Sequence, residues 1–332
     1  MLAFLFEPIR VLAAYIESAV LFIAVLFGTG QALPVPGDYL AELNCTGIFD
    51  NSAQCALPQT AMHGIVVEHF AKERSDGKAP KCLIVAYDGA RADALVNTKD
   101  DPESATQALK TDGGGIYQVY CGGKLPRLQK TVTCVGFTTL LTGHWADERG
   151  GTGHGVTDNG LVKAQGTPKL LFNNLFELER PIGRAALVVA WDEYFSHPGA
   201  VWYHDKAYAE EKGYNMHWLN QAYQGDGALC AAALAQVQDP ASDLVMVTLD
   251  ACDYAGHDYA FGNINPGYVD AFVASEHYGY QLIQAVKARP TYAGEDWLIL
   301  VITDHGGYRM GHGAQFAVER QIFMAANKDL GI

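Results

Sequence analysis

Short apolar runs that end in an acid recur along this chain, and that arrangement restricts its fold more than any other feature. Lys81 to Tyr87 (KCLIVAY) runs into Asp88-Gly89, Ala185 to Ala190 into Trp191-Asp192, Asp243 to Leu249 into Asp250, and Trp297 to Thr303 into Asp304. Ile322 to Ala326 is a further apolar run near the end of the sequence. Unbroken apolar residues, rather than alternating ones, mark strands covered on both faces. Helical patterns lie between them, at Thr167 to Glu179, Asp226 to Gln238 and Asp270 to Ala288, with a short one starting near Met62. Strands separated by helices imply parallel crossovers, so the expected fold is α/β, a central and largely parallel sheet with helices on both faces. Sites in such folds form beyond the C-terminal ends of the strands, which is where these acids stand.

The chain has 332 residues, 49% apolar and 18% charged, enough to bury a sizeable core in one large domain, placed at 62–332. Its 37 acidic and 23 basic residues leave a net charge of -14. No Lys/Arg cluster could neutralise a row of phosphates, so a strong nucleic-acid surface is not expected. A small phosphorylated substrate stays compatible if bound metal ions supply the missing positive charge. No GxGxxG or GxxxxGK[ST] motif follows a strand, which leaves nucleotide-cofactor and P-loop readings without support. None of the 7 cysteines forms a CxxC pair, against a zinc ribbon or a thioredoxin-like centre. Cys45 and Cys55 could pair in an oxidising compartment, whereas Cys82 and Cys252 read as buried thiols.

Residues 11–28 (VLAAYIESAVLFIAVLFG) hold Glu17 as their one charge, with Arg10 before them and Asp38 and Glu42 after. Residues 1–32 therefore read as a signal peptide or membrane anchor, placing the catalytic part outside the cytoplasm. An apolar helix docked on the protein body is the alternative. Leu33 to Gly37 marks a break, and 33–61 reads as a linker or irregular segment. Asn44-Cys45-Thr46 matches the glycosylation triplet, which has meaning only in a eukaryotic secretory context.

The chemistry is concentrated in Ala86 to Asp93, Thr131 to Gly143, Asp250 to Asp258 and Thr303 to Gly313. Asp253 and His257 are spaced so that one helical turn or a tight loop aims both at one ion. Asp304 and His305 are adjacent at a strand end, where neighbouring side chains diverge and can serve different ions. His312 can return to the cluster through a glycine-containing loop. Surface acids and satisfied histidines are the bland explanation of each residue alone, but separate segments all deliver metal-compatible groups. Carboxylate with imidazole suits zinc or manganese and disfavours copper(I) or iron–sulfur centres.

These segments resemble the alkaline phosphatase superfamily, most closely its type I phosphodiesterase/nucleotide pyrophosphatase branch. The resemblance runs over about residues 80–330 and is poor between about 165 and 240. It implies two divalent metal ions, zinc foremost, with manganese or a mixed pair as alternatives. Asp88, Asp304 and His305 would hold one ion, and Asp253, His257 and His312 the other. Thr133 falls at the nucleophile position, would itself bind a metal ion that favours its ionised hydroxyl, and would form a phosphothreonine intermediate. Thr131, Thr138 and Thr139 lie nearby, and a strand preference of threonine is their bland explanation. The segment His154 to Asn159 places Asn159 as a phosphate-oxygen ligand, with the backbone amide of Cys134 as a further donor. Cys134 lacks the following Pro and Arg of a sulfatase segment.

The implied activity is metal-dependent phosphoric ester hydrolysis, of a phosphodiester such as a nucleotide or lipid headgroup. A phosphomonoesterase of the same superfamily is the rival reading, and a non-catalytic membrane-associated subunit retaining the fold is another. Arg91 and Lys163 would favour the monoester's greater charge, and an aromatic wall at Trp191 to Phe195 would favour an organic substituent. His144 either borders the pocket or belongs to a surface loop. The family usually continues beyond the segment matching Gly311 to Ile332, so the domain is expected to be C-terminally shortened or completed by a partner. The oligomeric state is not indicated.

Overall fold

The computed structural model describes residues 47–51, 56–124, 127–146, 156, 168–221 and 224–331. The apolar N-terminal segment, Cys45, Cys55, His154, Asn159 and Lys163 lie outside the described residues.

In chain order the elements are β1 (Leu57–Pro58), α1 (Ala61–Ala71), β2 (Ala79–Tyr87), α2 (Ala105–Thr111), β3 (Gly115–Tyr120), β4 (Gly123–Lys124), β5 (Arg127–Leu128) and α3 (Thr133–Thr142). They continue with α4 (Leu171–Phe176), β6 (Ala185–Val189), α5 (Tyr203–Lys212), β7 (Met216–Asn220), α6 (Asp226–Gln238) and β8 (Leu244–Leu249). The last are α7 (Ala251–Tyr259), α8 (Pro266–Lys287), β9 (Glu295–Thr303), α9 (Ala317–Arg320) and β10 (Gln321–Ala326). An 8-stranded sheet in the order β1-β3-β10-β9-β2-β8-β6-β7 forms the centre, and β4 and β5 make a separate 2-stranded ribbon.

The expected α/β architecture is the one observed. β9, β2, β8, β6 and β7 run parallel to their neighbours in that order. β10 is antiparallel to both β9 and β3, so the Ile322 to Ala326 run does form a strand but reverses the sheet's direction. Alternation along each strand feeds two cores. Cys82, Ile84, Ala86, Met246 and Leu300 face Met62, Phe137 and Leu171 on one side. Leu83, Val85, Tyr87, Val247 and Val301 face Leu229, Phe272 and Ile283 on the other. Residues pointing to opposite faces of one strand are thus all apolar, the pattern of strands covered twice. Cys82 and Cys252 are buried free thiols, as expected.

Several elements differ from the sequence expectation. The helix expected over Thr167 to Glu179 shortens to α4, Leu171–Phe176. β3 and β7 join the sheet although neither reads as an apolar run; β7 is a half-buried edge strand, and β3 carries Gln118. The segment from Thr133, rich in threonine and β-branched residues, is helical, and all 10 residues of α3 are buried. Local β propensity yields there to tertiary packing. β1 pairs with β3, so Leu57–Pro58 is part of the sheet. Among the described residues, no helix is long and apolar enough to cross a membrane.

Candidate metal centre

The C-terminal ends of the three central strands converge on one place. Asp88 follows β2, Asp304 and His305 follow β9, and β8 leads into α7, which carries Asp253 and His257 on its first and second turns. Thr133 is the first residue of α3, whose N-cap Val132 is extended. The chain turn after β2 depends on Gly89, which has φ +66°, and a Cβ there would lie 2.6 Å from Asp253 Oδ1. That glycine brings two strand ends within side-chain reach and donates its N–H to Asp304 Oδ1 at 3.1 Å.

Two triads result, each with its donor atoms within 4.8 Å of one another: Asp88, Asp304 and His305, and Asp253, His257 and His312. In the first, His305 Nε2 lies 3.4 Å from Asp88 Oδ1 and 3.3 Å from Asp304 Oδ2. Thr133 Oγ1 stands 3.3 Å from both Asp88 Oδ1 and His305 Nε2. In the second, His257 Nε2 is 3.3 Å from Asp253 Oδ2 and 3.2 Å from His312 Nε2, and His312 Nε2 is 3.5 Å from Asp253 Oδ1. The two are adjoining, since the His305 and His312 rings stack with centroids 4.1 Å apart. They differ in access: the His305 side chain is 0% exposed and that of His257 44%.

Three observations test whether these residues fit metal ions. Each histidine has its Nδ1 on a main-chain carbonyl: His305 on Gly306 at 2.9 Å, His257 on Met310 at 3.0 Å and His312 on Thr131 at 3.0 Å. Carbonyls only accept, so Nδ1 carries the hydrogen and each ring turns its Nε2 inward, the orientation metal-binding histidines adopt. The Nε2 atoms of His257 and His312 face each other at 3.2 Å, a contact that a shared proton or a bound cation satisfies. Second, the separations suit shared coordination better than hydrogen bonding: tetrahedral ligands at about 2.0–2.2 Å stand about 3.3–3.6 Å apart. Third, Asp304 Oδ2 and Asp253 Oδ1 are buried without a hydrogen-bond partner. Buried polar atoms left unpaired are costly, and a bound cation would satisfy both. The oxygen and nitrogen donor set therefore fits hard to borderline divalent ions.

The electrostatics agree. Burial and the neighbouring Asp304 and Asp253 push the Asp88 carboxyl well above its ordinary range, and burial with Asp253 does the same for Asp304. Burial and His312 push His305 down to about 3. Asp253 is held low despite its burial, by His257, His305 and His312, and its contact in turn raises His257 to about 9.

Residues proposed from sequence for substrate contact are distributed differently. Arg91 is engaged by Asp93, Nε to Oδ1 at 2.9 Å and a terminal nitrogen to Oδ2 at 2.6 Å. Its remaining nitrogen reaches the carbonyls of Phe261 and Gly307 at 3.4 Å. Trp191 packs on Phe137 of α3 with centroids 5.4 Å apart and on Tyr194 at 5.2 Å, and Tyr194 meets Trp202 at 5.0 Å. This aromatic plate stands against the helix that begins at Thr133, and Trp191 is partly buried. His144 lies beyond the opposite end of α3 from Thr133, its N–H on Thr142 Oγ1.

Other contributors carry no motif. Gln59, wholly buried, donates its side chain to the Asp304 carbonyl at 2.6 Å. Asp226 accepts the N–H groups of Asp250 and Ala251 at 2.8 and 3.2 Å, capping α7 from the start of α6. The carbonyls of Thr131, Gly306 and Met310 orient the imidazoles, and a carbonyl has no residue identity to read.

The class defined by fold and site is an α/β protein with paired carboxylate–histidine triads beside a helix-terminal threonine. No family model and no curated protein sequence matches the chain. Solved structures do. Murine ectonucleotide pyrophosphatase/phosphodiesterase 5, an inactive form in complex with AMP, is 17% identical over 68% of this chain and 57% of that one, at TM-score 0.46. Alkaline phosphatase from the Antarctic bacterium TAB5 is 11% identical over 75% of this chain and 91% of that one, at 0.46. Phosphonoacetate hydrolase from Sinorhizobium meliloti 1021, in complex with phosphonoformate, is 15% identical over 69% of this chain and 57% of that one, at 0.43. All three are members of the alkaline phosphatase superfamily.

Proposed function

We propose that the chain is a metal-dependent phosphodiesterase in which Thr133 is the nucleophile and Asp88, Asp304, His305, Asp253, His257 and His312 hold two divalent ions. The observation that carries this reading is the position of Thr133 Oγ1, 3.3 Å from one donor of a carboxylate and one of an imidazole in the same triad. Bound ions would supply Lewis-acid charge that favours the ionised hydroxyl and offsets charge on the phosphoryl oxygens and leaving group.

The chain's own residues account for the rest. Thr133 is 8% exposed, so its oxygen can reach a docked ester while its backbone stays fixed at the start of α3. The end of that helix presents main-chain N–H groups and a positive dipole end toward an anion. Attack by Oγ1 on phosphorus forms the new P–O bond as the bond to the leaving alcohol breaks, giving phosphothreonine. Water then cleaves that ester, returning a hydroxyl to Thr133 and releasing the phosphate monoester. Asn159 belongs to the same proposal as a donor to a phosphoryl oxygen.

A diester is favoured over a monoester because Arg91 is neutralised by Asp93, whereas the partly buried Trp191 offers an organic substituent an aromatic edge beside α3. The test is hydrolysis of matched aryl phosphate mono- and diesters by zinc-loaded protein and by Thr133→Ala. Loss of turnover by at least about 10³-fold, with zinc content unchanged, is expected. Equal turnover in the two proteins would refute the nucleophile, and failure of the parent to retain zinc would refute the metal centre.

A further inference from the structure

The centre is braced from behind, and the bracing converges on a residue that no motif includes. Glu319, in α9, is 2% exposed. Its Oε2 lies 2.7 Å from Thr131 Oγ1, and the Thr131 carbonyl is the group that receives His312 Nδ1. Its own carbonyl accepts the Gly306 N–H at 2.8 Å, and the Gly306 carbonyl receives His305 Nδ1. The approach is close: a Cβ on Gly306 would fall 2.1 Å from the Val318 carbonyl oxygen, so only glycine lets α9 dock against the chain that follows β9.

We propose that Glu319 is a positioning residue that sets the orientation of one histidine in each triad, acting on His312 through its side chain and on His305 through its main chain. Thr131 lies two positions before Thr133, so the same contact also holds the entry to α3. The proposal rests on the reading of His305 and His312 as ligands.

Proton bookkeeping at Thr131 defines the form of Glu319 that fits. Thr131 Oγ1 receives the Gly313 N–H at 3.0 Å and lies 2.8 Å from the Ala314 carbonyl and 2.7 Å from Glu319 Oε2. A hydroxyl has one proton and two lone pairs. Every contact is satisfied when Thr131 donates to Ala314 and a protonated Glu319 donates to Thr131. The carboxyl also keeps its hydrogen bond from the Ala314 main chain. Burial pushes this carboxyl up to about 7, in keeping with the neutral form. Glutamine presents the same donor and acceptor, whereas alanine presents neither.

The experiment measures zinc affinity of the full chain by competition with a chromogenic chelator, alongside diester turnover and melting of the metal-free protein. Glu319→Gln should stay within about twofold of the parent, and Glu319→Ala should lose about 10–100-fold in zinc affinity, the usual cost of removing support behind a ligand. Thr131→Val keeps the carbonyl but removes the hydroxyl, and should weaken zinc binding in the same direction, so the proposal stays testable even where Glu319→Ala unfolds. Parental affinity in both Glu319→Ala and Thr131→Val would overturn the positioning role, as would equal losses in the Gln and Ala variants. A parent that binds no zinc would instead overturn the ligand reading itself.

Discussion

The two ends of the central sheet treat acidic residues in opposite ways. At the N-terminal ends of β8 and β9 the carboxylates are paired with cations. Glu295, the first residue of β9, pairs with Arg289 at 2.7 Å and also accepts from Thr291 and the Trp297 indole. Asp243 holds Lys81 at 2.8 Å, and Asp296 holds Arg74 at 2.7 Å. Against the cost of burial, these donors bring both Glu295 and Asp296 down to about 2. At the C-terminal ends, among the described residues, no Lys or Arg pairs with Asp88, Asp253 or Asp304. Asp250 beside them is raised to about 8 by burial, Asp226 and Asp253. β9 therefore begins in a neutralised pair and ends among crowded acids with no cationic partner, the end at which the proposed ions would supply the missing charge.

The largest effect that separates the ends is structural. Glu295→Ala strands an Arg289 side chain that is 2% exposed, and removing one partner of a buried pair costs about 3–5 kcal/mol. Urea denaturation should show that loss while turnover of the folded protein stays at the parental value; a fall in turnover would break the separation. The pH dependence has a defined sign. Because the folded values of Glu295 and Asp296 are depressed, their contribution is fully present above about 4 and is lost as pH falls through about 2. Denaturation midpoints between pH 5 and 2 check it.

A smaller effect is expected from the other end. Zinc at about 100 times its dissociation constant should raise stability by about 2.7 kcal/mol per site, read by calorimetry against chelator-treated protein. Smallest and most discriminating is Asp304→Asn. Asparagine keeps an oxygen for the N–H groups of Gly89 and His305 while removing a crowded buried charge. The metal-free protein should gain on the order of 1 kcal/mol while zinc affinity falls. Destabilisation of the metal-free form would show that charge crowding is not what distinguishes the two ends.

Much of the architecture is legible because burial on both faces forces continuous apolar runs. β2, β8 and β9 announce themselves that way, and an acid after each announces where the sheet stops. β3 and β7 escape notice since an edge position or a partly polar face leaves no such run. α3 is misleading for a related reason: Thr133, Val135, Thr138 and Thr139 favour strands locally, and only burial along the whole helix makes the helical state the better one.

What the sequence by itself determined is the inventory: strand-end acids, histidines at ligand spacing and a threonine, all residue types whose chemistry travels with the side chain. Tertiary structure decided their relation. It assembled residues from Asp88 to His312 into adjoining triads, turned each imidazole through a backbone carbonyl, occupied Arg91 with Asp93, and put Glu319 behind both triads. The triads and the turn of their imidazoles rest on main-chain hydrogen bonds and close approach at glycines between distant segments, and neither belongs to any residue until the chain has folded.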